Sequence, residues 1–212
     1  MPGRSGERKE QILQVLAEML QSPRREKITT AALAARLEVS EAALYRHFAS
    51  KAQMFEGLIE FIEKTLFSLI NKVVAEEQGA VSAPAGLKGA GQVEGILSLL
   101  LGFARKNPGM TRVLIGDALV NENDRLQARV NQLHDRLEAT LKQALRFEAS
   151  RNESAANIDV SAHANMLMCY VVGRWHQFAK SGFKRDPLEY WEAQRQRILL
   201  EPASEIRGHV AG

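Results

Sequence analysis

Leu126, Val130, Leu133, Leu137, Leu141 and Leu145 recur at intervals of three and four residues. That spacing stacks them on one flank of an α-helix and would scatter them to both faces of a strand. The same period recurs along the chain. It is present in Ile12, Leu13, Leu16, Met19 and Leu20, and in Met54, Leu58, Ile62, Leu66, Leu69 and Val73. It returns in Val160, Ala164, Leu167, Val171, Trp175 and Phe178. No segment alternates like a half-buried strand, and no internal repeat is visible. A chain patterned this way is confined to the all-α class, and its 212 residues suffice to bury a real core.

The punctuation between the stripes sets the organisation. The first stripe ends at "QSPRR". Thr29 is placed as an N-cap, with Ile28 and Leu33 at hydrophobic-staple spacing, so a short helix is expected from Thr30 to Leu37. Glu38 and Val39 read as a turn, and Ser40 as a second N-cap, with Val39 and Leu44 repeating the staple. Ser50 followed by Gln53 is a capping box that opens a long helix. "EQGAVSAPAGLKGAGQ", residues 77–92, reads as a flexible connection. A helix follows as far as Asn107-Pro108-Gly109, then a short one from Met110 to Leu119. After the leucine stripe, "SRNESAAN" interrupts, and a last helix from Leu188 to Leu200 precedes a polar tail. The expected domains are residues 7–52, residues 53–200 and a tail at 201–212.

Thr29 to Phe48 has the proportions of a helix-turn-helix. Leu44 and Phe48 share one face and anchor the second helix, which leaves Tyr45, Arg46 and His47 around the others. Ser40, Glu41 and Ala42 form its leading end. Polar groups of different shape at that place suit a surface that bonds phosphates and probes base edges. The DNA-contact candidates are therefore Thr29, Thr30, Ser40, Glu41, Ala42, Tyr45, Arg46, His47 and Lys51. Each has a plainer role open to it: Tyr45 as a cover for the core edge, Arg46 in a pair with Glu41 or Glu38, His47 in an internal hydrogen bond, Thr29 and Thr30 as caps, Lys51 as a solvated helix end.

"ITTAALAARLEVSEAALYRHFASKAQMFEGLIEFIE" resembles the DNA-binding domain of TetR-family regulators, through Leu44-Tyr45, Phe48, Lys51 and Phe55. Together with "LLLGFARKNPGMTRVL" and "DRLQARVNQLHDRLEATL" it is similar, more narrowly, to the SlmA family of nucleoid occlusion factors. The resemblance implies a TetR-like fold: an N-terminal three-helix helix-turn-helix domain and a C-terminal helical dimerisation bundle. It implies a homodimer on palindromic chromosomal DNA, with more than one dimer per site possible. It also implies that the DNA-bound form takes the C-terminal tail of the division protein FtsZ and antagonises its assembly. The tail cleft of that family lies between the fourth helix and the next. Its matching positions here are Phe61, Leu99, Gly102, Lys106 and Asn107, while Leu69 stands where the resemblance leads to a basic residue. The family dimerises through its last long helices, so Met168, Val171, Val172 and Trp175 are the expected seam.

Net charge and composition narrow the alternatives. The formal charge is +3, and residues 1–51 carry nine of the basic and six of the acidic side chains, so the excess sits at the helix-turn-helix end. One cysteine, Cys169, forbids an intrachain disulfide and fits a reducing compartment, where a buried thiol behaves as a small hydrophobe. "MPGRSGERKEQ" has no apolar signal core, and "ILSLLLGFA" is too short to span a bilayer, so a cytoplasmic protein with no membrane contact is expected, and the resemblance implies that it associates with the nucleoid. The histidines at 47, 134, 163, 176 and 209 are scattered, and "GLKGAG" is not a G-x-G-x-x-G. Asp135 and Glu138 read as a solvated face. No metal, cofactor or catalytic residue is expected. The rival readings are a TetR-type repressor answering to a small molecule in the C-terminal bundle, and a helical adaptor without a DNA role.

Overall fold

A computed structural model describes residues 4–22, 28–80, 91–120, 122–151 and 159–199. These residues form α1 (Arg4–Met19), α2 (Thr30–Arg36), α3 (Glu41–Tyr45), α4 (Lys51–Ala80), α5 (Gln92–Lys106), α6 (Pro108–Leu114), a 3-10 turn (Asp117–Leu119), α7 (Asp124–Ala149), α8 (Val160–Lys180) and α9 (Trp191–Ile198). No strand occurs among them. No helix of the described residues is long and apolar enough to cross a membrane.

The stripes become the core. Ile12, Leu16, Leu33, Leu44, Met54, Phe55 and Leu58 form the part of one continuous core that lies around α1 to α3. Ile62, Leu66 and Ile70 carry α4 onward into the rest of it, where Ile96, Leu100, Leu133, Leu137, Leu167 and Trp175 are sealed. Burying a side chain of that size contributes about 1.5–3 kcal/mol. Trp175 has no exposed surface, and its indole N–H meets the Leu100 carbonyl at 3.0 Å, so its polar atom is satisfied inside the apolar layer. The 30 residues of α4 run without a break along both parts of this core, so the domain boundary expected near residue 52 falls at the start of a continuous helix.

Several expectations shift. The connection placed at 77–92 begins later: α4 continues to Ala80 and α5 starts at Gln92, and residues 81–90 lie outside the described residues. Gly79 costs a helix only about 1 kcal/mol against alanine, too little to stop one with this much burial behind it. The helix expected from Met110 to Leu119 is two pieces, because Gly116 adopts φ 75 and breaks it. The last helix is shorter than expected, Trp191–Ile198. Cys169 is exposed, not a core residue. The tail at 201–212 lies outside the described residues.

The helix-turn-helix end joins the bundle through α6. A methyl added at Gly109 would collide with the backbone oxygen of Ala17, so α6 lies directly on α1. Buried Arg112 donates to the Leu20 carbonyl at 3.1 Å and to Asp117 Oδ2 at 2.9 Å. Asp117 also pairs with Lys180 of α8. Burial pushes the Asp117 carboxyl up, but hydrogen bonds from Lys180 and Arg112 outweigh it and hold it below its ordinary range. A carboxyl depressed in the fold adds stability above its unfolded value and loses it as pH falls through the folded one. Asp117→Asn is expected to cost about 2–3 kcal/mol at neutral pH, since it strands a buried guanidinium. Denaturant unfolding of both proteins across pH should show the gap narrowing as pH falls below about 4.

Candidate nucleic-acid interface and partner surfaces

The tight turn after α2 is made by backbone bonds. Glu38 N–H reaches Ala35 O at 3.1 Å and Val39 N–H reaches Ala34 O at 3.0 Å, with Glu38 at φ 56. This is a Schellman cap with glutamate where glycine is usual. It aims the chain into α3, whose N-cap Ser40 accepts from Ala43 N–H at 3.3 Å. Thr29 caps α2 in the same way, accepting from Ala32 N–H at 3.1 Å. Leu44 and Phe48 are buried beneath α3, as their spacing requires.

The face above them is open. Ser40, Glu41 and Ala42 are exposed, Tyr45 is 46% exposed, Arg46 is exposed and His47 is half-buried. The helix itself ends at Tyr45; Arg46 is its C-cap and His47 lies in the turn beyond. Arg46 pairs with no acid among the described residues, and Glu38 and Glu41 leave it free. Thr30 donates to Glu41 Oε2 at 2.6 Å, which fastens the starts of α2 and α3 together. Lys51 departs from the expected solvated end or free contact: its ammonium is ion-paired with Glu122, on the bundle side of the molecule. Lys51 also lines a small recess with Ile28, Thr29 and Thr30. The structure thus brings Thr29, Thr30, Glu41 and Lys51 into one corner, with Tyr45 and Arg46 on the exposed end of α3.

The second group lies between α4 and α5. A Cβ at Gly95 would sit 2.6 Å from Val73 Cγ1, so the start of α5 abuts the far end of α4. The α6 helix, which follows α5, packs on α1 and α4. At 1.5 Å per residue Phe61 lies about 18 Å back from Val73 along α4, and Lys106 about 16 Å beyond Gly95 along α5. Leu99, Gly102 and Lys106 share a face of α5, and Phe61, Thr65 and Leu69 share one of α4. Phe61, Leu69, Leu99 and Gly102 are half-buried and Lys106 is exposed. A Cβ at Gly102 would meet nothing within 4 Å, so α5 presents bare backbone to open space there. Asn107 donates its amide to the Phe103 carbonyl at 2.8 Å and ends α5.

The expected dimer seam needs correction. Met168, Val171 and Trp175 are buried within the single chain, where they face α5 and α7; of the four candidates only Val172 is part-exposed. The outward face of α8 is carried by Ala162, Asn165, Met166, Cys169 and Gly173. Met166 is 45% exposed and Gly173 has open space where a side chain would be. Helical spacing finds the apolar stripe, but the stripe is spent on the monomer's own core. The outer face is small and only mildly apolar, with a methionine and a cysteine as its signal.

Residues 26–58 match the model of bacterial regulatory proteins of the tetR family, and residues 89–201 match the SlmA-like form of the tetracyclin repressor-like C-terminal domain. The chain is 52% identical over 187 residues to the nucleoid occlusion factor SlmA of Alteromonas mediterranea, covering 88% of this chain and 91% of that one. It is 50% identical over 189 residues to SlmA of Idiomarina loihiensis, covering 89% and 92%. The chain belongs to the SlmA family. Among solved structures, the fatty acid degradation regulator FadR of Bacillus halodurans superposes with a TM-score of 0.71 at 12% identity, covering 93% of this chain and 97% of that one. The TetR-family regulator PfmR of Thermus thermophilus superposes with a TM-score of 0.60 at 18% identity, covering 89% and 94%. At such identities the likeness concerns the fold alone, and it is the TetR fold. The relatives are named as nucleoid occlusion factors and transcriptional regulators, so this SlmA-family chain is a helix-turn-helix DNA-binding protein and not an enzyme.

Two measurements test the placements. Arg46 touches nothing that holds the fold, so Arg46→Ala should leave the melting temperature unchanged while lowering the slope of log affinity against log salt by about one phosphate contact. If the exposed face of α8 is the seam of a homodimer, Met166→Glu should yield a folded monomer in sedimentation equilibrium, whereas a Met168 substitution should instead lower stability by leaving a cavity.

Proposed function

We propose that the protein is a DNA-activated antagonist of FtsZ assembly: a homodimer that binds palindromic chromosomal sites through Thr29, Thr30, Ser40, Glu41, Ala42, Tyr45, Arg46, His47 and Lys51, and takes the C-terminal tail of FtsZ between α4 and α5. It acts in the cytoplasm, on the nucleoid. The observation that supports the reading is the bare backbone at Gly102, with half-buried Leu99 on the same face of α5. Gly102 presents backbone without a side chain, so a peptide approaches closely enough to bond to it or lie flat on it. Phe61 and Leu99 supply apolar walls at half burial. Lys106 is exposed and suits a carboxylate. Fifty-per-cent relatives named as nucleoid occlusion factors support the same assignment.

Asn107 takes a different part. Its side chain is committed to the Phe103 carbonyl, so it shapes the end of α5 and offers the tail only its remaining polar atoms. Leu69, in place of a basic residue, makes the Val73 end of the groove apolar. Charge recognition of the tail therefore concentrates at the Lys106 end.

FtsZ sedimentation with and without operator duplex tests the function. Polymer should fall more when operator is present. Lys106→Asp should preserve operator affinity and abolish most of that loss of polymer. Polymer unchanged under every condition would instead identify an ordinary TetR-type repressor.

A further inference from the structure

Lys51 is taken by an acid from the far side of the molecule. Its ammonium pairs with Glu122, 71 residues away, and the two side chains are only 22% and 13% exposed. Glu122 lies between the 3-10 turn and α7, in the bundle. The recess beside Lys51 is lined by Thr29 and Thr30, which are the hydroxyls placed on DNA phosphate. A phosphate oxygen and a carboxylate oxygen ask the same thing of an ammonium: a charge-assisted hydrogen bond. Both cannot hold it in full. Thr30 repeats the pattern, since its hydroxyl is given to the Glu41 carboxylate.

We propose that Glu122 is an internal competitor of DNA phosphate. In the free protein its carboxylate holds the Lys51 ammonium; on DNA the ammonium transfers to a backbone phosphate and Glu122 is released. The proposal rests on the reading of Lys51 as a phosphate contact. Its consequence reaches the bundle. Among the described residues, the helix-turn-helix end is tied to the bundle at two polar points: Arg112 on the Leu20 carbonyl, and Lys51 on Glu122. A phosphate has no access to the first, because the Arg112 guanidinium is buried and already paired with Asp117. It competes directly for the second. DNA occupancy therefore unties one of the two and leaves the other, and the segment freed is the one that leads into α7. Val120 is 66% exposed, while Leu119 before it and Leu126 after it stay buried, so the release is confined to the short stretch around Glu122. Glu122 N–H bonds to the Leu119 carbonyl at 2.9 Å, which gives a local reporter of its release.

The test uses the full chain and a duplex that the protein itself selects from a randomised pool. In fluorescence anisotropy at fixed salt, Glu122→Gln should bind that duplex about twofold to tenfold more tightly, the range expected for a partly exposed pair. Lys51→Gln should bind more weakly, with a salt slope lower by about one contact. Adding Glu122→Gln to Lys51→Gln should then gain nothing. In the unsubstituted protein, hydrogen exchange at the Glu122 amide should speed up when the duplex is bound. Unchanged or weaker binding by Glu122→Gln, with Lys51→Gln weakened as described, overturns the competitor and leaves the phosphate contact standing. Unchanged exchange at Glu122 overturns it as well, without relying on any variant. If Lys51→Gln alters neither affinity nor slope, the phosphate contact itself falls, and the competitor with it.

Discussion

Everything the helix-turn-helix end does depends on the close approach of α6 to α1. Gly109 leaves room for the Ala17 carbonyl, and no other residue would. Arg112 then reaches across to Leu20 O and is neutralised by Asp117, itself held by Lys180 of α8. A buried guanidinium is costly unless every donor has a partner, so this joint has one good geometry. The consequence is a small DNA-reading module fixed to a much larger bundle by a polar contact of defined direction rather than by grease alone. Nearby, α4 contributes the apolar half of the same joint.

Much of this was legible in residues, and the reasons differ from case to case. Cap residues at Thr29, Ser40 and Ser50, with staples at Ile28/Leu33 and Val39/Leu44, placed the short helices correctly because capping is local chemistry. The Schellman turn at Glu38 was only a turn in the sequence, since a glutamate in a left-handed conformation carries no glycine signal. The stripe on α8 was visible, yet its destination was not: a period shows which residues share a face and never which neighbour covers it. Met168, Val171 and Trp175 went to the monomer core for that reason. Glu122 was invisible altogether, because an ion pair 71 residues apart leaves no local trace. Continuity of α4 past Glu77 was likewise hidden, as the glycine-rich stretch nearby outweighs helix propensity on paper.

The corner proposed to meet phosphate holds two carboxylates, Glu41 on Thr30 and Glu122 on Lys51. Glu41 and Glu122 each engage a donor that phosphate would want. Such pairing keeps the half-buried cation and hydroxyl satisfied in the absence of ligand, which protects the fold from unpaired polar groups. It also lowers intrinsic affinity for any polyanion, so non-specific attraction is restrained while the exposed Arg46 and Tyr45 remain available. Specific binding then has to supply enough contacts to exchange one set of partners for another.

An uninterrupted α4 has a mechanical meaning. It begins at Lys51, in the corner with Thr29 and Thr30, and carries Phe61 on the wall of the proposed groove about 15 Å further on. A rod of that stiffness has no hinge in which to absorb motion. On the proposed reading, a tilt imposed at its foot by a duplex would be delivered to Phe61, and the room left for a bound peptide would follow it.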